Sequence, residues 1–255
     1  MKIIVAITFH YREEKLPYLN KVLNSIAGIS ADSLKVIICT NQQFDVAVNN
    51  LSIELDVVER LYHPYFLAWC HKRHMLHFLD SDNTHFIYLE DDIEITQQTV
   101  DYWLKNRELF LRNGLEFIPA ILRVEYDSRG NAYAVDCVKS VSKISRPNIT
   151  VEGHEFVSLE SPYQAMYIMD RALVKEHTLS RSFRYETANP FQGAWLVQDL
   201  AAQGNMFENV PPGFEHRYLI PTNNTVECWV HHNTDTYVNI PNSPHGKLPA
   251  EFIIA

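Results

Sequence analysis

Short apolar runs rich in β-branched residues, separated by segments with helical spacing, dominate the first part of the chain. Lys2–Thr8, Lys35–Thr40 (KVIICT) and Phe86–Leu89 (FIYL) are continuous rather than alternating in polarity. Such runs mark strands buried on both faces, and a strand of that kind needs helices above and below it. The intervening segments supply them. Glu14–Ala27 places Leu16, Leu19, Leu23 and Ile26 on one helical face, with Gly28 as its stop. Leu67–Leu79 brings Leu67, Cys70, His74, Met75 and Phe78 near one face, and Thr96 caps a helix to Arg112 that Gly114 ends. With a weaker strand at Val57–Leu61, the order implies right-handed crossovers and a Rossmann-like, mostly parallel α/β sheet flanked by helices.

The second half reads differently. Phe117–Tyr126 and Ala132–Val141 look like antiparallel strands around a turn at Asp127–Asn131, giving a mixed or antiparallel half. Pro162–Met169 reads as a strand, and Asp170 caps a short helix to His177. Asn189-Pro190-Phe191-Gln192 has the residues of a helix start, Gly204 closes that helix, and one more strand falls near Cys228–His231. No repeat or linker interrupts the chain, so the expectation is one domain, 1–255, with a first half at 1–113 and a second at 114–255.

Composition narrows the class. Lys plus Arg is 22 against Asp plus Glu 31, a net charge of -9, which argues against a general nucleic-acid binder. Cys39, Cys70, Cys137 and Cys228 are widely spaced, which fits reduced thiols better than a zinc ribbon or a disulfide scaffold. The apolar run at Ile3–Ile7 is too short for a signal-peptide core, and no stretch is long enough for a membrane span. The expectation is a cytoplasmic protein without a transmembrane segment.

The chemistry-bearing feature is Glu90-Asp91-Asp92, directly after FIYL and followed by Glu94. In open α/β sheets ligands bind at the carboxyl ends of parallel strands. Three consecutive acids there repel one another unless a divalent cation with oxygen ligands offsets them, and Mg²⁺ or Mn²⁺ completes its shell with substrate phosphates. The same acids also serve as a solvated strand end that favours the following helix N-terminus.

Taken together, IIVAITFHYREEKLPYLNKVLNSI, KVIICTN, the helix carrying Lys72-Arg73 and HFIYLEDDIEI resemble the nucleotide-binding half of glycosyltransferases with the glycosyltransferase-A fold. The resemblance covers residues 1–113 in order and spacing and continues more loosely to about residue 232. It implies a nucleotide-diphosphate sugar donor, a UDP-sugar being favoured, a glycan or glycolipid acceptor, and Mn²⁺ or Mg²⁺ as cofactor. Carried onto this chain, Thr8, His10, Tyr11 and Arg12 would flank the base and ribose. Asn41 stands where many of these enzymes keep an acid against the base, and Arg73 falls where the family places a basic residue near the nucleotide. Glu90 and Asp92 occupy the outer positions of the acidic "DXD" motif, with Asp92 the metal ligand, Glu90 its companion and Asp91 facing the donor between them. Each has a plainer reading: Thr8 and Asn41 as turn residues, Tyr11 as a core-edge aromatic, and Lys72-Arg73 as a solvated helix face.

The family also carries a late histidine on the metal. His231 or His232, after Cys228-Trp229-Val230, is the candidate, with only one facing the site because strand neighbours point oppositely; His216 is the competitor. An inverting transferase needs a carboxylate to take the acceptor proton. The family position falls near Gln192-Gly193, where no acid stands, so Glu186 and Asp199 are the substitutes, Glu186 preferred, and a retaining mechanism stays open. Tyr185, Phe191 and Trp195 are candidates to stack on an acceptor sugar. Two alternatives remain: a sugar-phosphate nucleotidyltransferase, which would carry a Gly- and Arg-rich loop where this chain has FHYREEKL, and a non-catalytic sugar-nucleotide or glycan-binding protein of the same fold.

Overall fold

The computed structural model describes residues 1–192 and 195–255, with Gln192 described only in its backbone, so Gly193 lies outside the described residues. The chain is mixed α/β, with parallel and antiparallel sheets flanked by helices, and divides into two compact units. The first comprises Met1–Ile93 and Ala165–Asn205, the second Glu94–Gln164 and Met206–Ala255. The first division falls between Ile93 and Glu94, just past the acidic triplet, and the helix that follows belongs to the second unit.

The first unit is built on a five-stranded sheet. β1 (Lys2–Phe9) pairs in parallel with β2 (Ser33–Thr40) and β4 (His85–Glu90), and β3 (Ser52–Val57) pairs in parallel with β2. The strand Met166–Asp170 closes the other edge, antiparallel to β4. β1 is central, and Ile3, Val5, Ala6, Ile7 and Phe9 are fully buried, which is why its sequence does not alternate. β3 lies earlier than the expected Val57–Leu61. As an edge strand it is half-exposed, and its SIELDV sequence alternates polar and apolar residues instead of forming an apolar run.

α1 (Leu16–Ala27) packs through Leu19, Val22, Leu23 and Ile26, with a proline in its first turn and a 3₁₀ turn, Glu13–Lys15, ahead of it. The single helix expected over Leu67–Leu79 is two pieces, a 3₁₀ helix Pro64–Trp69 and α2 (Lys72–Leu79). At the junction the His71 Nδ1–H donates to the Ala68 carbonyl at 2.5 Å, a side-chain bond that marks the break between the two pieces. Asp170 caps Arg171–Leu179 by accepting from the Leu173 amide. Asn189-Pro190 does not start a helix: it sits near the end of Tyr185–Gln192, and a separate short helix, Val197–Ala201, follows.

In the second unit, Thr96 caps Gln97–Arg112, and Leu109 and Phe110 pack in a core cluster with Phe117, Val151, Phe156 and Leu219. The expected strand Phe117–Tyr126 is split between two sheets. Ile118–Pro119 joins Tyr218–Pro221, and Leu122–Tyr126 pairs with Ala132–Ala134 and Trp229–His232. Asp127 Oδ1 accepts from the amides of Arg129 and Asn131 and builds the expected turn. The antiparallel pair Asn148–Val151 and His154–Ser158 was not anticipated. Among the described residues no helix is long and apolar enough to cross a membrane, and the four cysteines are free thiols.

Candidate functional site

A cleft of about 290 Å³ opens in the first unit at the carboxyl ends of β1 and β4. Thr8 and Glu90 are register partners on these neighbouring parallel strands, so the pairing itself sets a hydroxyl beside a carboxylate at the rim. The strands end there and diverge, and the side chains past their last ladder bonds become the walls. His10, Arg12 and Lys15 come from the segment after β1, Tyr88, Glu90 and Asp91 from the end of β4, and Gln198 from the helix Val197–Ala201. Pro64, Tyr65, Leu67 and Ala68 of the 3₁₀ helix supply an apolar side.

Charge in the cleft is divided. Asp91 is buried, and burial first, then the neighbouring charge of Asp92, pushes its carboxyl up to about 6, while the Lys15 ammonium 3.3 Å away opposes that rise. On the other side burial, then the Arg12 and Lys15 charges, lower the basicity of His10, so the loop after β1 carries a positive field. Cations and carboxylates therefore stand side by side in this cleft, Lys15 against Asp91 and Arg12 near them. The donors at the strand end are all carboxylate oxygens, the set that Mg²⁺ and Mn²⁺ take.

Thr8, His10, Arg12, Glu90 and Asp91 therefore come together in one cleft, whereas Asp92 is not among its lining residues. Tyr11 and Asn41 have structural partners: Asn41 Oδ1 accepts from the Tyr11 amide at 2.6 Å, and the Tyr11 ring packs with Phe9 and Phe44. Arg73 holds Asp56 in a two-pronged ion pair and lines a different cleft of about 350 Å³, with Phe66, Trp69, Lys72, Tyr185 and Glu186. Glu186 is exposed there, while Asp199 directly follows Gln198 of the first cleft. Phe191 is covered by the Arg181 guanidinium at 3.6 Å.

The late histidines all have partners within the second unit. His231 lies between Glu94 at 3.3 Å and Asp235 at 3.0 Å; burial pulls its basicity down, but these two carboxylates raise it overall. His232 Nδ1 bonds buried Glu125 at 2.6 Å. His216 is buried, accepting from the Tyr218 amide at Nδ1 and donating from Nε2 to the Leu159 carbonyl at 2.8 Å. Sequence reasoning missed Lys15, Tyr88 and Gln198. Lys15 had a usable signal, a cation one turn beyond Arg12 at the start of α1; Gln198 had none, because only the fold brings it to the cleft.

No protein-family model matches the sequence, and no curated protein matches it. Among solved structures, the chain is similar to S. aureus TarS 1–349, at 14% identity over 93% of this chain, with a TM-score of 0.48. It spans 62% of that chain. It is also similar to TarS 1–349 in complex with UDP-GlcNAc, at 16% identity over 70% of this chain and 48% of that one, TM-score 0.38. A third is a glycosyltransferase involved in glycosylation of the major capsid of PBCV-1, at 9% identity over 86% and 81%, TM-score 0.36. At these identities and scores the likeness is to the course of the chain and assigns no residue.

Proposed function

We propose that the chain transfers a sugar from a nucleotide-diphosphate donor, a UDP-sugar in the first instance, to a glycan or glycolipid acceptor. The observation that carries this reading is the cleft itself: Arg12 and Lys15 face Glu90 and Asp91 across the carboxyl ends of two adjacent parallel strands. The diphosphate lies toward Arg12 and Lys15, whose charges offset the negative charge that grows on the leaving group as the anomeric C–O bond breaks. Glu90 and Asp92 are the carboxylates that would hold a divalent cation, which would supply Lewis-acid stabilisation of the leaving diphosphate. The apolar side from Pro64 to Ala68 excludes water from the cleft, and His10 at its wall offers a polar group for the nucleoside.

Of the two acids considered as general base, we favour Asp199 over Glu186, because it follows Gln198 of this cleft on the short helix Val197–Ala201 while Glu186 lies at a different cleft. Its carboxylate takes the acceptor hydroxyl proton as the new glycosidic bond forms. Release of UDP from UDP-sugars in the presence of Mn²⁺, with and without candidate acceptors, tests the reading. Asp199→Asn is expected to lower turnover about 100-fold or more, as loss of a general base does, while UDP binding stays within about twofold. Tight UDP binding with no release from any sugar nucleotide would instead make the chain a sugar-nucleotide-binding protein.

A further inference from the structure

We infer that Cys39, Asp56 and His74 form a zinc site in the first unit, separate from the cleft at the ends of β1 and β4 and independent of what that cleft binds. Cys39 and Asp56 are direct register partners on β2 and β3, and His74 reaches them from α2. One atom joins the three: Asp56 Oδ2 lies 2.6 Å from His74 Nε2 and 3.9 Å from Cys39 Sγ. The three donor atoms all stand within 4.8 Å of one another. In a tetrahedral zinc site, bonds of about 2.3 Å to sulfur and about 2.0 Å to nitrogen and oxygen set the donors roughly 3.3–3.5 Å apart. Movements of about 1 Å or less convert one arrangement into the other.

The donor chemistry is selective. A thiolate, an imidazole and a carboxylate suit zinc and offer little to Mg²⁺ or Mn²⁺, the opposite of the all-carboxylate strand end after β4. Arg73 supplies the outer support: Nε donates to Oδ2 at 2.8 Å, and a terminal nitrogen is bound to Oδ1. When the metal takes Oδ2, the guanidinium keeps Oδ1 and fixes the carboxylate plane. Cys39 gives up its proton to solvent on binding, so two anionic ligands meet the dication, and the remaining Arg73 charge is half-exposed to water. Cys39 is fully buried, and the side chains of His74 and Asp56 are 12% and 15% exposed, which shields the site. A metal-free network holds the same groups, with the Cys39 thiol donating to Asp56 Oδ2 at 3.9 Å beside Arg73 and His74, and the cobalt titration separates it from a zinc site.

The test uses the full chain, reduced and stripped of metal, titrated with Co²⁺ as a spectroscopic probe. The expected result is one equivalent giving a near-ultraviolet thiolate-to-cobalt band with tetrahedral visible bands, displaced by stoichiometric Zn²⁺ and unaffected by excess Mg²⁺. Cys39→Ser and His74→Gln should each abolish the band, and His74→Gln should weaken Zn²⁺ binding by about 100-fold or more. Cys228→Ser, at a buried thiol of the second unit, should keep it. Because Cys39 is in the core, circular dichroism accompanies each variant, and His74→Gln decides the matter if Cys39→Ser does not fold. No near-ultraviolet band in the wild type, or a band that survives in folded His74→Gln, would overturn the assignment; a cobalt complex at the carboxylates of the cleft gives no such band.

Discussion

Lys72 lies buried at the start of α2, in surroundings that favour its neutral amine. Its Nζ is 2.5 Å from His177 Nε2 and 3.4 Å from the Tyr167 hydroxyl oxygen. His71 Nδ1–H donates to Ala68, which leaves its Nε2 to accept from the Tyr167 hydroxyl, and Tyr167 and His177 Nε2 in turn accept from a neutral Lys72. Burial pulls the Lys72 amine well below its usual range. In the unfolded chain the same amine stays protonated to about pH 10. Between the two values the unfolded state binds one more proton, so stability rises with pH by about 1.4 kcal/mol per unit from this group and falls as pH drops. Lys72→Met removes the titration. It also takes partners from Tyr167 and His177, at about 1–3 kcal/mol, so the absolute offset between the proteins has no fixed sign. The slope does. Urea unfolding of both proteins at pH 8.5 and 9.5 should show their stability difference changing by about 1.4 kcal/mol, a tenfold change in the ratio of unfolding constants. Ionisation of the buried thiols affects both proteins alike and drops out of the difference. Parallel stability curves would refute the reasoning, because they would mean that Lys72 is an ammonium in the folded protein.

Further outcomes follow from other sites. His71 and His177 are also held neutral, chiefly by burial, so each adds a proton to the folding difference below about pH 6.5 and unfolding should steepen toward three protons per molecule in acid titrations. Arg123 and Asp136 form a two-pronged pair at 2.8 and 2.6 Å with side chains 7% and 11% exposed; Arg123→Ala should cost about 3–5 kcal/mol in denaturant melts, because it leaves Asp136 buried and unpaired. Lys15→Met removes the cation beside Asp91 and should weaken UDP binding by about 1–2 kcal/mol in calorimetry, with no loss of fold. His231, raised by Glu94 and Asp235, stabilises the fold below about pH 6.5, and that contribution fades as pH rises through its folded value, so His231→Gln should cost about 0.5–1 kcal/mol at pH 5.5 and less at pH 8.5.

The parallel core was legible because burial on both faces leaves an unbroken apolar run in the middle of β1, β2 and β4. Where burial is one-sided the mark fades: β3 at the sheet edge was displaced by several residues, and the pair Asn148–Val151 and His154–Ser158 escaped notice. Pro190 misled in the opposite way. Asn-Pro is start chemistry in isolation, but here the helix Tyr185–Gln192 has begun before it and carries Pro190 inside. The strand-end half of the cleft was readable, since Thr8 and Glu90 are fixed by strand pairing. Its other walls were not, because Gln198 and the Pro64–Ala68 side arrive through folding over long sequence distances. The site of Cys39, Asp56 and His74 was invisible for the same reason: strand register and a helix unite three residues that no local spacing connects.

Calorimetry of UDP, GDP and CDP with and without Mn²⁺, on wild type and Asp92→Ala, asks whether the acidic strand end and the cations beside it form a nucleotide-diphosphate site. Binding of one nucleotide that requires Mn²⁺ and drops at least about tenfold in Asp92→Ala is the result expected of a sugar-nucleotide transferase. A folded wild type that binds none of the three, or binds one equally well without Mn²⁺ and without Asp92, would make Glu90-Asp91-Asp92 a solvated strand end and contradict the proposed activity.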